Sequence, residues 1–418
     1  VSDTAGRAPV AGPSTFRSLR HRNARLFLGG LFVSQIGAWV QYTALAIVVD
    51  RLTGSTTAIG VLTALQFGPL LVLGAWAGAF ADRVDRRRIV LITQGLLAVQ
   101  AVALAIADFV DVLNVGVVYA LTLALGVVSA IDNPARRGFV IQLVDQSEIS
   151  NAMSLNTATM TGSRIFGPAI AALLITRVGT GWLFALNAIT SIAIIYSIVA
   201  VDRSKVHEAP KVAPGGRPIR DALAYIRATP RLGATFVVFA VVSTFGYNHN
   251  VSLPRIANEI WENEQWFGWV MTVISLGSMI GSLMTASRPS VTMRWMAAHG
   301  LILGVSGLAL AWTPSGWVAL VVAIPLGLGG AAFIASMNSF SQQECPPEMR
   351  GRILAFIAIA FLGSYPIGGP ITGIVGDLIG LEWSIAYGAA ITTVAVLWLI
   401  ARVVPRSEAR VATRAGVG

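Results

Sequence analysis

The stretch Gly78-Ala79-Phe80-Ala81-Asp82-Arg83-Val84-Asp85-Arg86-Arg87-Arg88 stands between two long apolar segments, and its reading decides the fold. Two acids and four arginines in so short a run do not lie in hydrocarbon, so the chain leaves the membrane here. Arginines collect in cytoplasmic loops, which places this loop on the inner side and fixes the orientation of everything around it.

Working outward, apolar runs long enough to cross a bilayer, about 20 residues each, fall at 26–49, 57–80, 88–108, 112–133, 152–176 and 181–201, and again at 234–257, 266–287, 294–312, 317–340, 353–376 and 383–402. The composition agrees. Of 418 residues 55% are hydrophobic and 12% charged, where soluble domains carry about 25% charged residues. The reading is an all-α membrane protein of twelve transmembrane helices. An even number of crossings puts both termini in the cytoplasm. Outside fall only Arg51, Arg177 and Arg255, and Arg164 lies within a span, while every other Lys and Arg falls inside. The formal charge of +10 is thus positive-inside patterning and not a nucleic-acid face.

The chain divides into a basic N-terminal segment (1–25), a first six-helix unit (26–201), a cytoplasmic linker (202–233), a second six-helix unit (234–402) and a tail (403–418). The first apolar run is too long for a signal-peptide core and is read as a retained span. Within the linker, Ile219–Ala228 has the spacing of a short amphipathic helix lying on the membrane face. The two units repeat. Phe166-Gly167-Pro168 is followed by Trp182 and by Ala188-Ile189-Thr190, and Gly368-Gly369-Pro370 by Trp383 and by Ala390-Ile391-Thr392. Such a repeat places a substrate site between pseudo-symmetric halves, near the bilayer midplane.

The loop motif Gly78-x-x-x-Asp82-Arg83-x-x-Arg86-Arg87 resembles that between the second and third helices of the major facilitator superfamily, and the likeness extends over the whole chain. Asp85, in place of the glycine many members carry, together with Ala130-Ile131-Asp132-Asn133-Pro134-Ala135-Arg136 and Arg164-Ile165-Phe166-Gly167-Pro168, is more similar to the branch of the enterobactin exporter and related multidrug exporters. The resemblance implies a fold of two six-helix bundles working by alternating access. It implies a gating role for Asp82, docking at the start of the eleventh span, with Arg83, Arg86, Asp132 and Arg136 beside it. Gly167-Pro168 resembles the family's antiporter motif, and Gly167, Pro168, Gly369 and Pro370 are expected to pack or bend helices, as is Pro366. The arginine that many proton-coupled members carry in the fourth span is missing here.

Arg164 lies near mid-membrane, where an arginine costs about 2.5–3.5 kcal/mol even on the lenient insertion scale. It is therefore expected to face a central cavity, on one helix face with Asn156 and Met160. Gln35, Trp39 and Tyr42 share a face of the first span. Phe245, Asn248 and His249 come from the seventh, Met271, Ser275 and Met279 from the eighth, Asn338 from the tenth and Tyr365 from the eleventh. Together they suggest a cavity tolerant of amphiphiles. No acid lies mid-span, so a coupling proton falls to His249, Asp132 or Asp50.

The expected function is a secondary active exporter of drugs or siderophore-like compounds, proton-driven, monomeric, in the cytoplasmic (inner) membrane. A lipid or lysolipid transporter, or an importer, on the same scaffold stays open, as does a non-transporting membrane protein. There is no Gly-x4-Gly-Lys-Ser/Thr, no His-Glu-x-x-His and no Gly-x-Ser-x-Gly, which argues against an ATP-driven pump, an enzyme, a cofactor or a metal site. The one cysteine, Cys345, reads as a bystander thiol.

Overall fold

The computed structural model describes residues 15–207 and 218–403. The rest of the N-terminal segment, the middle of the linker and the tail from 404 lie outside them. Twelve apolar spans cross the molecule, with no strand among the described residues. The first half has Arg22–Thr53, Thr56–Ala81, Arg86–Phe109, Val115–Gln142, Ile149–Val178 and Thr180–Val199. The second has a seventh span in two pieces, Pro230–Phe245 and His249–Glu259, then Gln265–Ala286, Met293–Ala311 and Gly316–Glu344, an eleventh in two pieces, Pro347–Leu362 and Tyr365–Leu378, and finally Leu381–Arg402. Hydrocarbon satisfies no backbone polar group, so each crossing is helical. Large apolar side chains such as Val72, Trp317 and Leu378 are exposed on the surface, as an exterior that faces hydrocarbon requires.

Short polar caps set the helix ends. Gly54, at φ +54°, ends the first span in the left-handed conformation that suits glycine. Ser55 accepts from the amide of Ala58 and Asn114 from that of Val117. Asp85 accepts from the amides of Arg87 and Arg88, at 2.9 and 3.4 Å, so the acid that replaces glycine in the loop motif is a helix cap.

The first span packs on the fifth and sixth, the third on the fourth and sixth, and the second on the fourth; likewise the eighth and ninth pack on the tenth, and the seventh and ninth on the twelfth. The halves meet along two seams, the second span against the eleventh and the fifth against the eighth. Both seams are crossings of bare backbone. A Cβ on Gly60 would lie 2.5 Å from the carbonyl oxygen of Gly369, and one on Gly268 would lie 2.6 Å from that of Pro168. The two Gly-Pro repeats thus mark the two places where the halves touch.

Three expectations need correction. The eleventh span, read as one run, breaks at Gly363-Ser364, just ahead of Pro366. The seventh span, read as one run, breaks at Gly246-Tyr247-Asn248. The linker helix, Pro218–Ala228, packs on protein rather than lying on lipid. Its Ala222 and Ile226 are buried in the second half's core, Asp221 pairs with Arg352 at 2.8 Å, and the Tyr225 hydroxyl donates to the Glu344 carbonyl.

Candidate functional site

Between the halves lies a cavity of about 430 Å³. It runs from Tyr42 and Asn250, toward the face opposite the start of the first span and the end of the twelfth, to Ser282 and Asn338, toward the face that carries those two helix ends. The first span supplies Trp39 and Tyr42, the second Phe67, and the fifth Thr161, Arg164 and Pro168. From the second half come Tyr247, His249, Asn250, Met271, Ser275, Ser278, Asn338, Phe361 and Tyr365. Arg164 therefore points into the cavity. Its guanidinium lies 5.0 Å from the Trp39 ring centroid, a cation–π contact. Phe67, Phe361 and Tyr365 form an aromatic wall, with ring centroids 5.2 Å apart for Phe67–Tyr365 and 5.6 Å for Phe361–Tyr365.

Trp39, Tyr42, Arg164, His249, Asn338 and Tyr365, marked in the sequence, all line this cavity, as do Met271 and Ser275. Gln35, Asn156, Met160, Phe245 and Asn248 do not. Asn156 is buried, and Met160 turns toward the fourth span, its sulfur 3.8 Å from Arg136. Residues four apart on a helix drift by about 40° per step, so a stripe of 156, 160 and 164 rotates off the cavity, and the lining residues are instead 161, 164 and 168. Phe245 packs on Tyr387, and the Asn248 amide donates to the Thr244 carbonyl at 2.5 Å. The break in the seventh span abolishes the helical register, which brings Tyr247 and Asn250 to the cavity in their place. Ser278 and Ser282 were also missed. They continue the Met271–Ser275 face at i+7 and i+11, whereas Met279 turns outward.

The face opposite the start of the first span is closed by polar contacts between the halves. Asp377, at the end of the eleventh span, accepts from Ser55 Oγ (2.6 Å) and from the backbone amides of Thr56 (2.8 Å) and Thr57 (3.0 Å). Arg51 makes a two-pronged ion pair with Glu264, and Gln265 bonds to Thr176. Arg255 holds Glu259 at 2.8 Å and Asp377 at 3.6 Å. Asp50 accepts weakly from Asn258 at 3.3 Å, its other oxygen buried without a partner. Deeper in, the Asn250 amide donates to the Tyr42 hydroxyl at 2.5 Å.

The loop-motif residues lie on the other face. Asp82 is 58% exposed and pairs with Arg86 at 2.8 Å, four residues on. Arg83 is exposed. Neither meets the eleventh span in this conformation. Asp132 and Arg136 are buried and pair with each other at 3.0 Å. The same carboxylate accepts from Thr93 (2.7 Å) and Gln94 (3.0 Å), so the pair braces the first half internally.

A family model described as transmembrane secretion effector matches residues 13–415. The chain belongs to the major facilitator superfamily. This superfamily member is 22% identical over 364 residues to the staphyloferrin A transporter of Staphylococcus aureus, covering 85% of the chain and 90% of that protein. It is 24% identical over 386 residues to macrolide efflux protein A of Streptococcus pyogenes, covering 88% and 93%. In fold it matches a bacterial homologue of the human lysosomal transporter Spinster, solved inward-facing and unoccupied, with a TM-score of 0.66, 15% identity, and 90% and 95% of the two chains covered. The superfamily is one of transporters and not of enzymes, and this transporter is a multi-pass membrane protein.

Proposed function

We propose that this chain is a secondary active exporter of amphipathic small molecules, such as drugs or siderophore-like compounds, working by alternating access in the cytoplasmic membrane as a monomer, with both termini inside. The observation that carries the proposal is the cavity: a largely aromatic and aliphatic chamber at the junction of the halves, holding Arg164 and Met271 and sealed on one face. With the termini inside, the sealed face is the outer one, and the loading side is the cytoplasm, as export requires. The efflux function named for the macrolide relative supports the direction. Rocking the halves about the Gly60–Gly369 and Gly268–Pro168 crossings would open the outer seal and close the inner mouth. In that state Asp82 would reach the start of the eleventh span, where the helix dipole favours an acid.

Proton drive falls to His249 or Asp50, each with a buried polar atom that lacks a partner, His249 at the cavity and Asp50 at the seam. Asp132 is a poorer candidate, because Arg136, Thr93 and Gln94 already hold its carboxylate. The test is efflux of a fluorescent amphiphile from cells that express the protein. Efflux that stops on adding an uncoupler and is impaired in Arg164→Ala supports the reading. Efflux that survives the uncoupler refutes proton drive, and accumulation against control cells refutes export.

A further inference from the structure

This inference rests on the transport reading above and concerns the charge of the molecule carried. The cavity holds a formal positive charge with no matching acid: Arg164 lines it, and no Asp or Glu does. Among the described residues Arg164 enters no ion pair, and its guanidinium carbon lies over the Trp39 ring at 5.0 Å from the centroid, a contact that provides no anionic partner. The buried or seam acids are engaged elsewhere. Asp132 pairs with Arg136, Asp377 caps the second span, and Asp50 faces Asn258 at the outer seal. His249 adds no negative charge in either protonation state. A guanidinium between aromatic and aliphatic walls has one strong complement, a planar oxyanion that accepts two of its N–H groups side by side.

We infer that the transported molecule carries a carboxylate or an equivalent oxyanion, and that amphiphilic cations are rejected. The remaining lining refines the class. Ser275 and Ser278 donate their hydroxyls to their own helix, to the carbonyls of Met271 and Ile274, each at 2.8 Å. Toward the cavity they offer lone pairs. These groups take donors, so the molecule also bears hydroxyl or N–H groups, on a body that rests against Phe67 and Tyr365.

The test uses the full chain in nanodiscs and two probes of one shape. One is 6-hydroxy-2-naphthoate, and the other is the same ring with an aminomethyl cation in place of the carboxylate. Calorimetric titration is expected to show the acid bound about ten- to a hundredfold tighter than the amine, the range of a hydrogen-bonded charge contact. Arg164→Gln erases the difference, and Arg164→Lys keeps part of it. Lysophosphatidylglycerol against lysophosphatidylcholine separates the source of the oxyanion. If only the anionic lysolipid binds, and does so through Arg164, the charge rule holds and the group is a lipid headgroup. Equal binding within both pairs, tighter binding of the cation, no binding of either anion, or acid binding unchanged in Arg164→Gln overturns the inference. The wild-type preference decides the charge rule whether or not a variant folds. Uncoupler-sensitive efflux tests the transport reading separately, since efflux can persist where the charge rule fails.

Discussion

Asp377 caps the first turn of the second span across the junction of the halves, its carboxylate 2.8 Å from the amide nitrogen of Thr56. An acid at the end of one helix thus satisfies the free amides at the start of a helix in the other half, where the dipole is positive. The equivalent place in the repeat, Thr176 against Gln265, carries a neutral bond. The outer seal therefore has a charged helix cap at one seam and, at the other, a neutral bond beside the Arg51–Glu264 ion pair.

Asp377→Ala removes this clasp, and with it the acceptor for the amides of Thr56 and Thr57. Loss of a helix cap costs about 0.5–2 kcal/mol, all of it from the sealed state. The population open at the opposite face is expected to rise by about two- to thirtyfold. Spin-label distances between the outer ends of the second and eleventh spans should show a longer component in the variant. An unchanged distribution would mean that the cap does not hold the seal.

Gly60 has no room for a side chain, because a Cβ would sit 2.5 Å from the Gly369 oxygen. Gly60→Ala is expected to abolish transport while the protein still inserts. Gly29→Ala is the control: nothing lies within 4 Å of its added Cβ, and transport should be unaltered. Equal activity of the two variants would show that the crossing is not a hinge contact.

Removing Asp132 leaves Arg136 buried without its counter-charge. Breaking a buried pair from one side costs about 3–5 kcal/mol, so Asp132→Ala should sharply lower the melting temperature in detergent. Replacing both residues by apolar ones of similar volume should restore most of it. A small loss in the single variant would show that water reaches the pair.

Cys345 lies between the tenth and eleventh spans, outside the membrane-crossing segments. Burial pushes its thiol up from the ordinary value. The reactive thiolate is scarce below the raised pKa and appears as pH rises through it. Maleimide labelling of the native protein should be slow at pH 7 and climb steeply above pH 9, later than for a free thiol. Rapid labelling at neutral pH would place the thiol in water.

Much of this molecule was legible in the sequence because lipid enforces a simple rule. Each crossing must be apolar and helical, so twelve runs gave twelve spans. The ends were less legible: the fourth helix continues through Pro134 to Gln142, beyond its apolar run, since helices protrude past the hydrocarbon. Arg164 was readable as a cavity residue because a charge at mid-depth has nowhere else to go. Tyr247, Asn250 and Phe67 were not, since a polar or aromatic side chain in a span has several places to point.

The order of apolar and charged segments determined the crossings, the loop arginines and the two-part repeat, all local consequences of transferring residues into hydrocarbon. Only the tertiary structure decided which faces meet. The breaks at Gly246–Asn248 and Gly363–Ser364 shift the register of the helical pieces beyond them. The reach of Asp377 to Thr56 spans 321 positions of sequence. Neither the phase of a broken helix nor a contact between halves is written in the hydropathy of any single segment, because both depend on how helices close on one another.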